Sequence, residues 1–245
     1  PLTDRLPKPL LPAGGRPALF AAIDKLRSAG IRDFFVNVHH LPEKFAEAFG
    51  LPAGAFADSR AAEARYGDCR VRLVCEPEIL DTGGAVKNLL PLLDLSGPLA
   101  VHNGDIIFSS PAEGFLAEAE ANLADKNCAA TLCLRSSGNL PNVGVGGSGD
   151  VGDMRFALGA PFERLAQYAG FFVLNPPAFK FFAGRAEDKF SIVDAFLDIL
   201  RSGGRIAGVF DDAGEWADIG TLSEYARLGA GGTPDGWTAL ARLCV

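Results

Sequence analysis

The chain has 245 residues and a mass of 25.8 kDa, with 48% apolar and 22% charged residues. That is enough to bury a core in one large α/β domain or two small ones, and it excludes a disordered chain. Lys and Arg number 23 against 30 Asp and Glu, for a net charge of −7, which argues against general binding of nucleic acid or anionic membrane, where clustered cations are needed; a local pocket for one phosphorylated metabolite is still allowed.

Residues 18–29 carry helical periodicity that stops at Gly30. Phe34–Val38 reads as a short buried strand, and Pro42–Phe49 as a helix with proline in its first turn. Residues 51–68, rich in Ala, Gly and charge, read as a long surface loop with some helix. Val71–Cys75 is a strand, Thr82 caps a helix running to Leu90, and Leu99–Val101 ends a third apolar strand. A helix over Pro111–Leu123 and a strand over Cys128–Leu134 continue the alternation, which argues for a parallel sheet with crossover helices. Residues 136–160 are Gly-rich and suggest hairpins or an inserted flap. Phe171–Leu174 reads as a strand, Phe190–Arg201 as an amphipathic helix, Ile206–Phe210 as a strand and Leu222–Leu228 as a last helix.

Four short stretches have the residue types for chemistry. Lys8 lies between Pro7 and Pro9, which restrict its backbone. That setting suits a point charge on a phosphate, and equally a surface lysine in a Pro-rich turn. Glu76-Pro77-Glu78-Ile79-Leu80-Asp81-Thr82-Gly83-Gly84-Ala85 joins a strand to a helix, with Thr82 a suitable N-cap. Two glycines in a first turn cost about 1 kcal/mol each relative to alanine. They mark either the approach of a flat or charged ligand to the backbone or an ordinary tight turn.

Asn103-Gly104-Asp105 follows a buried strand. Asn-Gly is a hairpin signal, but a helix rather than an alternating strand comes after Ile106-Ile107-Phe108. In open α/β sheets ligands bind at the carboxyl ends of strands, and a carboxylate there suits Mg²⁺. Asp218, in Trp216-Ala217-Asp218-Ile219-Gly220-Thr221, is a candidate second metal ligand or a solvated turn residue, with Thr221 capping the next helix.

The remaining residue types exclude other chemistries. The five cysteines (Cys69, Cys75, Cys128, Cys133, Cys244) form no CxxC pair, and the three histidines show no HxxxH spacing. Disulfide scaffolds and zinc sites are disfavoured, and a reducing cytoplasm is expected. His39 and His40 are adjacent and point opposite ways, while His102 reads as a packed histidine. No GxSxG or GxxxxGK[ST] motif occurs. No apolar run reaches the roughly 18 residues of a membrane span, and no signal peptide is visible.

Taken in order, these stretches resemble the sugar-1-phosphate nucleotidylyltransferase superfamily over residues 1–228. The matching segments are Leu2-Thr3 through Pro7-Lys8-Pro9-Leu10-Leu11, Gly15-Arg16-Pro17, Val36-Asn37-Val38-His39-His40-Leu41-Pro42-Glu43, Asp81-Thr82-Gly83-Gly84-Ala85, Asn103-Gly104-Asp105 and Trp216-Ala217-Asp218-Ile219-Gly220-Thr221. The branch that looks most similar holds bacterial N-acetylmuramate-1-phosphate uridylyltransferases and short mannose-1-phosphate guanylyltransferases. The resemblance implies an α/β fold: a Rossmann-like, mixed, mostly parallel sheet flanked by helices, with a small sugar-side β subdomain. Residues 1–228 would form that domain and 229–245 a C-terminal tail.

The implied reaction joins an NTP to a sugar 1-phosphate, giving NDP-sugar and pyrophosphate, with Mg²⁺ as cofactor and no protein nucleophile. Two anions must meet in line, so cations and positioning do most of the work. By resemblance, Lys8 neutralises the NTP phosphates, and Thr82, Gly83 and Gly84 face the base with Glu76 and Asn103 nearby. Asp105 is catalytic and shares the Mg²⁺ with Asp218, and Gly170 lies on the sugar side. Two aspartates on one Mg²⁺ must bring their carboxylates within about 5 Å.

The base, the sugar and the oligomeric state stay open; neither nucleic acid nor membrane is expected as a partner. The alternatives are a cytidylyltransferase for a non-sugar phosphate such as phosphocholine, and a catalytically inactive nucleotide-sugar-binding regulatory subunit. Two departures stand out. The family's Val-Glu-Lys-Pro is replaced by Ala160-Pro161-Phe162-Glu163-Arg164. Family members also carry a strand and a Gly-rich loop before the proline matching Pro1, so about 15–20 further residues, with amides that cradle phosphate, are expected upstream.

Overall fold

The computed structural model describes residues 2–220 together with Tyr225, Ala226 and Leu228. The elements run β1 (Pro12–Ala13), β2 (Arg16–Pro17), α1 (Ala18–Ser28), β3 (Asp33–Val38), α2 (Pro42–Ala48), β4 (Ala61–Tyr66) and β5 (Cys69–Cys75). Next come α3 (Asp81–Leu89), β6 (Leu99–His102), β7 (Ile106–Phe108), α4 (Ala112–Asn122), β8 (Cys128–Arg135), β9 (Val143–Val145) and β10 (Val151–Met154). The order ends with β11 (Arg164–Leu174), α5 (Phe179–Ala183), α6 (Ile192–Arg201), β12 (Arg205–Phe210) and β13 (Trp216–Asp218). Two compact units result. One takes the described residues up to Ile79, Gly104–Ala112 and those from Gly214 onward; the other takes Leu80–Asn103 and Glu113–Ala213.

In the first unit β3, β5 and β4 form a sheet in that order, with β3 parallel and β4 antiparallel to β5. Helix α1 buries Ala18, Leu19, Ala22, Ile23 and Leu26, the stripe its periodicity predicts. It stops at Gly30, whose φ of +95° suits glycine, while Ile31 N donates to Leu26 O in a Schellman-type turn. A second cluster joins Leu11, Ala13 and Ala18 to Ile107 and Ile219, fastening the start of the chain to β7 and the residue after β13.

The expected loop over 51–68 is corrected here: its end is strand β4, whose Ala62 and Ala64 are buried. Alanine has weak strand preference, so the segment looks like loop or helix until it is paired. The two-residue turn Gly67-Asp68 between Tyr66 and Cys69 is the signal that identifies the hairpin.

The second unit holds a sheet in the order β10-β9-β11-β8-β12, with β6 also on β11. Strand β8 is buried along nearly its whole length, as befits a central strand. Leu132, Leu134, Phe172 and Ile206 share a core with Val193, Phe196 and Ile199 of α6, and the Phe172 and Phe196 rings meet edge-on at 5.3 Å. The sheets are mixed, as expected, but not mostly parallel. Only β3/β5 and β8/β12 are parallel among the described ladders. The cause is β11, which runs from Arg164 rather than Phe171 and pairs antiparallel with β6, β8 and β9.

Helix α3 also differs from expectation. It begins at Asp81, whose carboxylate accepts from Thr82 N at 2.7 Å, so Thr82 lies inside the first turn and caps nothing. The aspartate side chain reaches the next amide before a threonine cap can form. In α6, by contrast, Ser191 accepts from Val193 N, and Asp194 returns to Ser191 N in a capping box. Ser191→Ala is expected to cost about 1 kcal/mol, read as a melting-temperature drop of about 2–4 °C. Thr221 and most of the predicted 222–228 helix lie outside the described residues, as does the 229–245 tail; Tyr225, Ala226 and Leu228 are helical. Cys69, Cys75, Cys128 and Cys133 are free thiols. No helix among the described residues is long and apolar enough to cross a membrane.

Candidate active site

Lys8 opens a 3-10 turn over Lys8–Leu10, held by Leu10 N to Pro7 O at 2.9 Å and Leu11 N to Lys8 O at 3.0 Å. Leu10 and Leu11 are buried and fix the backbone, while the lysine side chain reaches Asp105 Oδ2 at 3.1 Å. Gly104 helps this approach, because a Cβ there would stand 3.3 Å from Pro9 Cβ and Cγ. Strand β7 then runs antiparallel to β13, with Asp218 opposite Ile106, and Ile219 N donates to Asp105 O at 3.1 Å. Asp105, in the turn before β7, and Asp218, the last residue of β13, are 113 positions apart in sequence (218 − 105 = 113) and so become backbone neighbours. The Asp218 carboxylate accepts from Gly220 N at 2.7 Å. Beneath β7, the buried Lys25 donates to Phe108 O at 3.3 Å and lies 3.8 Å over the Phe108 ring.

In the same unit Glu76 is buried where β5 ends, and its Oε1 accepts from Asn37 Nδ2 at 2.7 Å. Glu76 N donates to Val38 O. His39 Nδ1 lies 2.7 Å from Glu76 O and His40 Nε2 lies 2.7 Å from Thr3 O. A carbonyl only accepts, so each of these ring nitrogens is the donor. The two histidines diverge, as their adjacency required, and each fastens a carbonyl. Glu76 thus occupies the carboxyl ends of the parallel pair β3/β5, the position where such sheets take ligands.

The other predicted residues belong to the second unit. Gly83 and Gly84 are buried in α3. A Cβ on Gly83 would lie 2.5 Å from the Phe190 ring and 2.8 Å from Phe190 O, and one on Gly84 would overlap Asp188 O. The chain itself, at 188–190, makes the close approach that the two glycines signal. Asn103 N donates to Gly170 O at 2.8 Å. Gly170 has φ +79° where the β11 register shifts between Tyr168 and Phe172, a bulge that needs glycine.

Sequence reasoning missed Asn37, His39 and Lys25 as supports. The legible signal was for Lys25, a lysine in register with the apolar stripe of α1; the Asn37 contact depends on strand register.

Asp105 and Asp218 suit Mg²⁺. Carboxylate oxygens are hard donors, Mg²⁺ uses one or two of them together with phosphates and water, and the Lys8 ammonium already stands on Asp105 as a cation. No group of three or more His, Cys, Asp or Glu gathers among the described residues. Lys8 and Asp105 keep 37% and 30% side-chain exposure, so their pair contributes at most about 1 kcal/mol and exchanges readily.

A family model described as nucleotidyl transferase matches residues 1–231. The chain is 29% identical over 238 residues to an N-acetylmuramate alpha-1-phosphate uridylyltransferase of Caulobacter vibrioides, covering 93% of this chain and 90% of that protein. It is 27% identical over 230 residues to a mannose-1-phosphate guanyltransferase of Aspergillus fumigatus, covering 92% of this chain and 58% of that one. Among solved structures, HddC from Yersinia pseudotuberculosis complexed with GMP-PN has a TM-score of 0.66 at 18% identity, over 91% of this chain and 88% of that one. An apo UDP-glucose pyrophosphorylase has a TM-score of 0.70 at 16% identity, over 100% and 94%. The structural matches bear out the expected α/β fold, with mixed sheets flanked by helices.

Proposed function

The chain belongs to the nucleotidyl transferase family, and from that premise we propose that it transfers a nucleotidyl group from an NTP to a sugar 1-phosphate. A phosphate oxygen of the sugar 1-phosphate forms a bond to the α-phosphorus, the α–β phosphoanhydride bond breaks, and pyrophosphate leaves with the electron pair. The observation that supports this reading is the Lys8 ammonium at 3.1 Å from the Asp105 carboxylate, with the Asp218 backbone beside Asp105 where β13 meets β7. The Lys8 ammonium neutralises triphosphate charge, and Asp105 and Asp218 would hold Mg²⁺. When bound, that ion would supply positive charge against the phosphates. Glu76, fixed by Asn37, bears on the nucleobase.

The test measures pyrophosphate release with Mg²⁺ across ATP, CTP, GTP, UTP and dTTP, paired with sugar 1-phosphates that include N-acetylmuramate 1-phosphate and mannose 1-phosphate. One productive pair is expected. Turnover only with CTP and phosphocholine would replace the sugar reading. Thermal stabilisation by NDP-sugars without turnover for any pair would make the protein a binding subunit.

Lys8→Ala should lower kcat/KM by about 10²-fold, the scale of one lost electrostatic contact to the transition state. It should change sugar-phosphate binding far less. Lys8→Arg should rescue only in part, since a planar fork places its charge differently. Equal kinetics for wild type and Lys8→Ala would remove Lys8 from the site.

A further inference from the structure

We propose that the Lys8 ammonium fills the cation seat of Asp105 until a triphosphate draws it away, so that metal and nucleotide bind interdependently. The inference rests on the reading of Asp105 as a metal ligand. It starts from the 3.1 Å contact between Lys8 Nζ and Asp105 Oδ2. An ammonium on that oxygen repels a divalent ion approaching the same carboxylate. Lys8 is tethered there, because its backbone is fixed by Pro7, Pro9 and the buried Leu10 and Leu11. Its four-carbon stem remains free to swing. The pair is partly exposed, so leaving it costs little. A triphosphate offers the ammonium more negative charge than one carboxylate does.

Nucleotide binding therefore moves one positive charge off Asp105 and opens that oxygen to the metal. By reciprocity, the metal raises nucleotide affinity by the same factor as the nucleotide raises metal affinity. Metal alone is a weak ligand of this protein, and the lysine is the reason. Lys8 thus has two positions in one cycle, on Asp105 before binding and on phosphate after it.

The test is Mn²⁺ binding to the full chain without nucleotide, followed by the loss of the free-ion electron paramagnetic resonance signal. Wild type, Lys8→Met, Lys8→Arg and Lys8→Met/Asp105→Asn are compared. Lys8→Met should bind Mn²⁺ about tenfold more tightly than wild type, for loss of one charge beside a divalent ion at a partly exposed site. Lys8→Arg should not, because the positive charge stays. Asp105→Asn should abolish the gain. Equal or weaker Mn²⁺ affinity for Lys8→Met, with binding still dependent on Asp105, would overturn the proposal and leave the metal reading standing. Mn²⁺ binding indifferent to Asp105 in every arm would overturn the metal reading, and the proposal with it.

Discussion

Asp105→Asn is expected to cut turnover by about 10³-fold or more, the scale of losing a metal ligand and its charge, while the protein stays folded. The separation of effects follows from which atoms do what. The structural bond of this residue is made by its backbone carbonyl, which accepts from Ile219 N at 3.1 Å. Asparagine keeps that carbonyl and nearly the same side-chain volume. Among the described residues, the side-chain bond of Asp105 is the partly exposed ion pair with Lys8, worth at most about 1 kcal/mol. Melting temperature should therefore fall by no more than about 4 °C. Kinetics and thermal melts on the same preparation decide the matter. A large drop in melting temperature with activity retained would make Asp105 a structural residue.

Gly84→Ala should do the reverse and damage stability first. Its new Cβ would overlap Asp188 O and stand 3.0 Å from Leu80 Cβ. The segment in its way cannot retreat. Gly84 N donates to Phe190 O and Phe190 N donates to Leu80 O. One turn further along the same helix, Lys87 Nζ grips Arg185 O at 2.8 Å, Glu187 O at 3.2 Å and Asp188 Oδ1 at 2.8 Å. Overpacking of this kind costs about 1–3 kcal/mol or more. Gly97→Ala is the control, because a Cβ there meets nothing within 4 Å. Denaturant melts of both variants give the comparison. An unchanged midpoint for Gly84→Ala together with a raised KM for NTP would return the glycine to a ligand-facing role.

The glycine pair shows how far the sequence could be read. Gly83-Gly84 announces that something comes close to the backbone, and a ligand and the protein's own 188–190 segment leave the same mark. Helix α1 was legible because its apolar residues recur at helical spacing and stop at Gly30. Strand β4 was not, because its burial comes from alanines that acquire meaning only against β5. The Thr82 cap failed for a local reason, the competing Asp81 carboxylate. Lys8 and Asp105 are 97 positions apart, and no periodicity joins them; only the resemblance to a family placed them in one role. Glu76 was legible as a candidate, but its Asn37 support depends on the parallel register of β3 and β5.

The pairing of β7 with β13 also bears on how the protein comes into being on the ribosome. Residues 106–108 have to wait for residues 216–218, and in the other unit β8 waits for β12, from Cys128 to Arg205. Such long-range ladders must close large loops before they gain contacts, which makes folding slow. During synthesis β7 and one edge of β8 stay unpaired until most of the chain has emerged, a window in which exposed strand edges invite misassociation. The pairing of β7 with β13 is among the last to be set, so a nascent chain halted before β13 would carry one of the two aspartates proposed to hold the metal and no finished site.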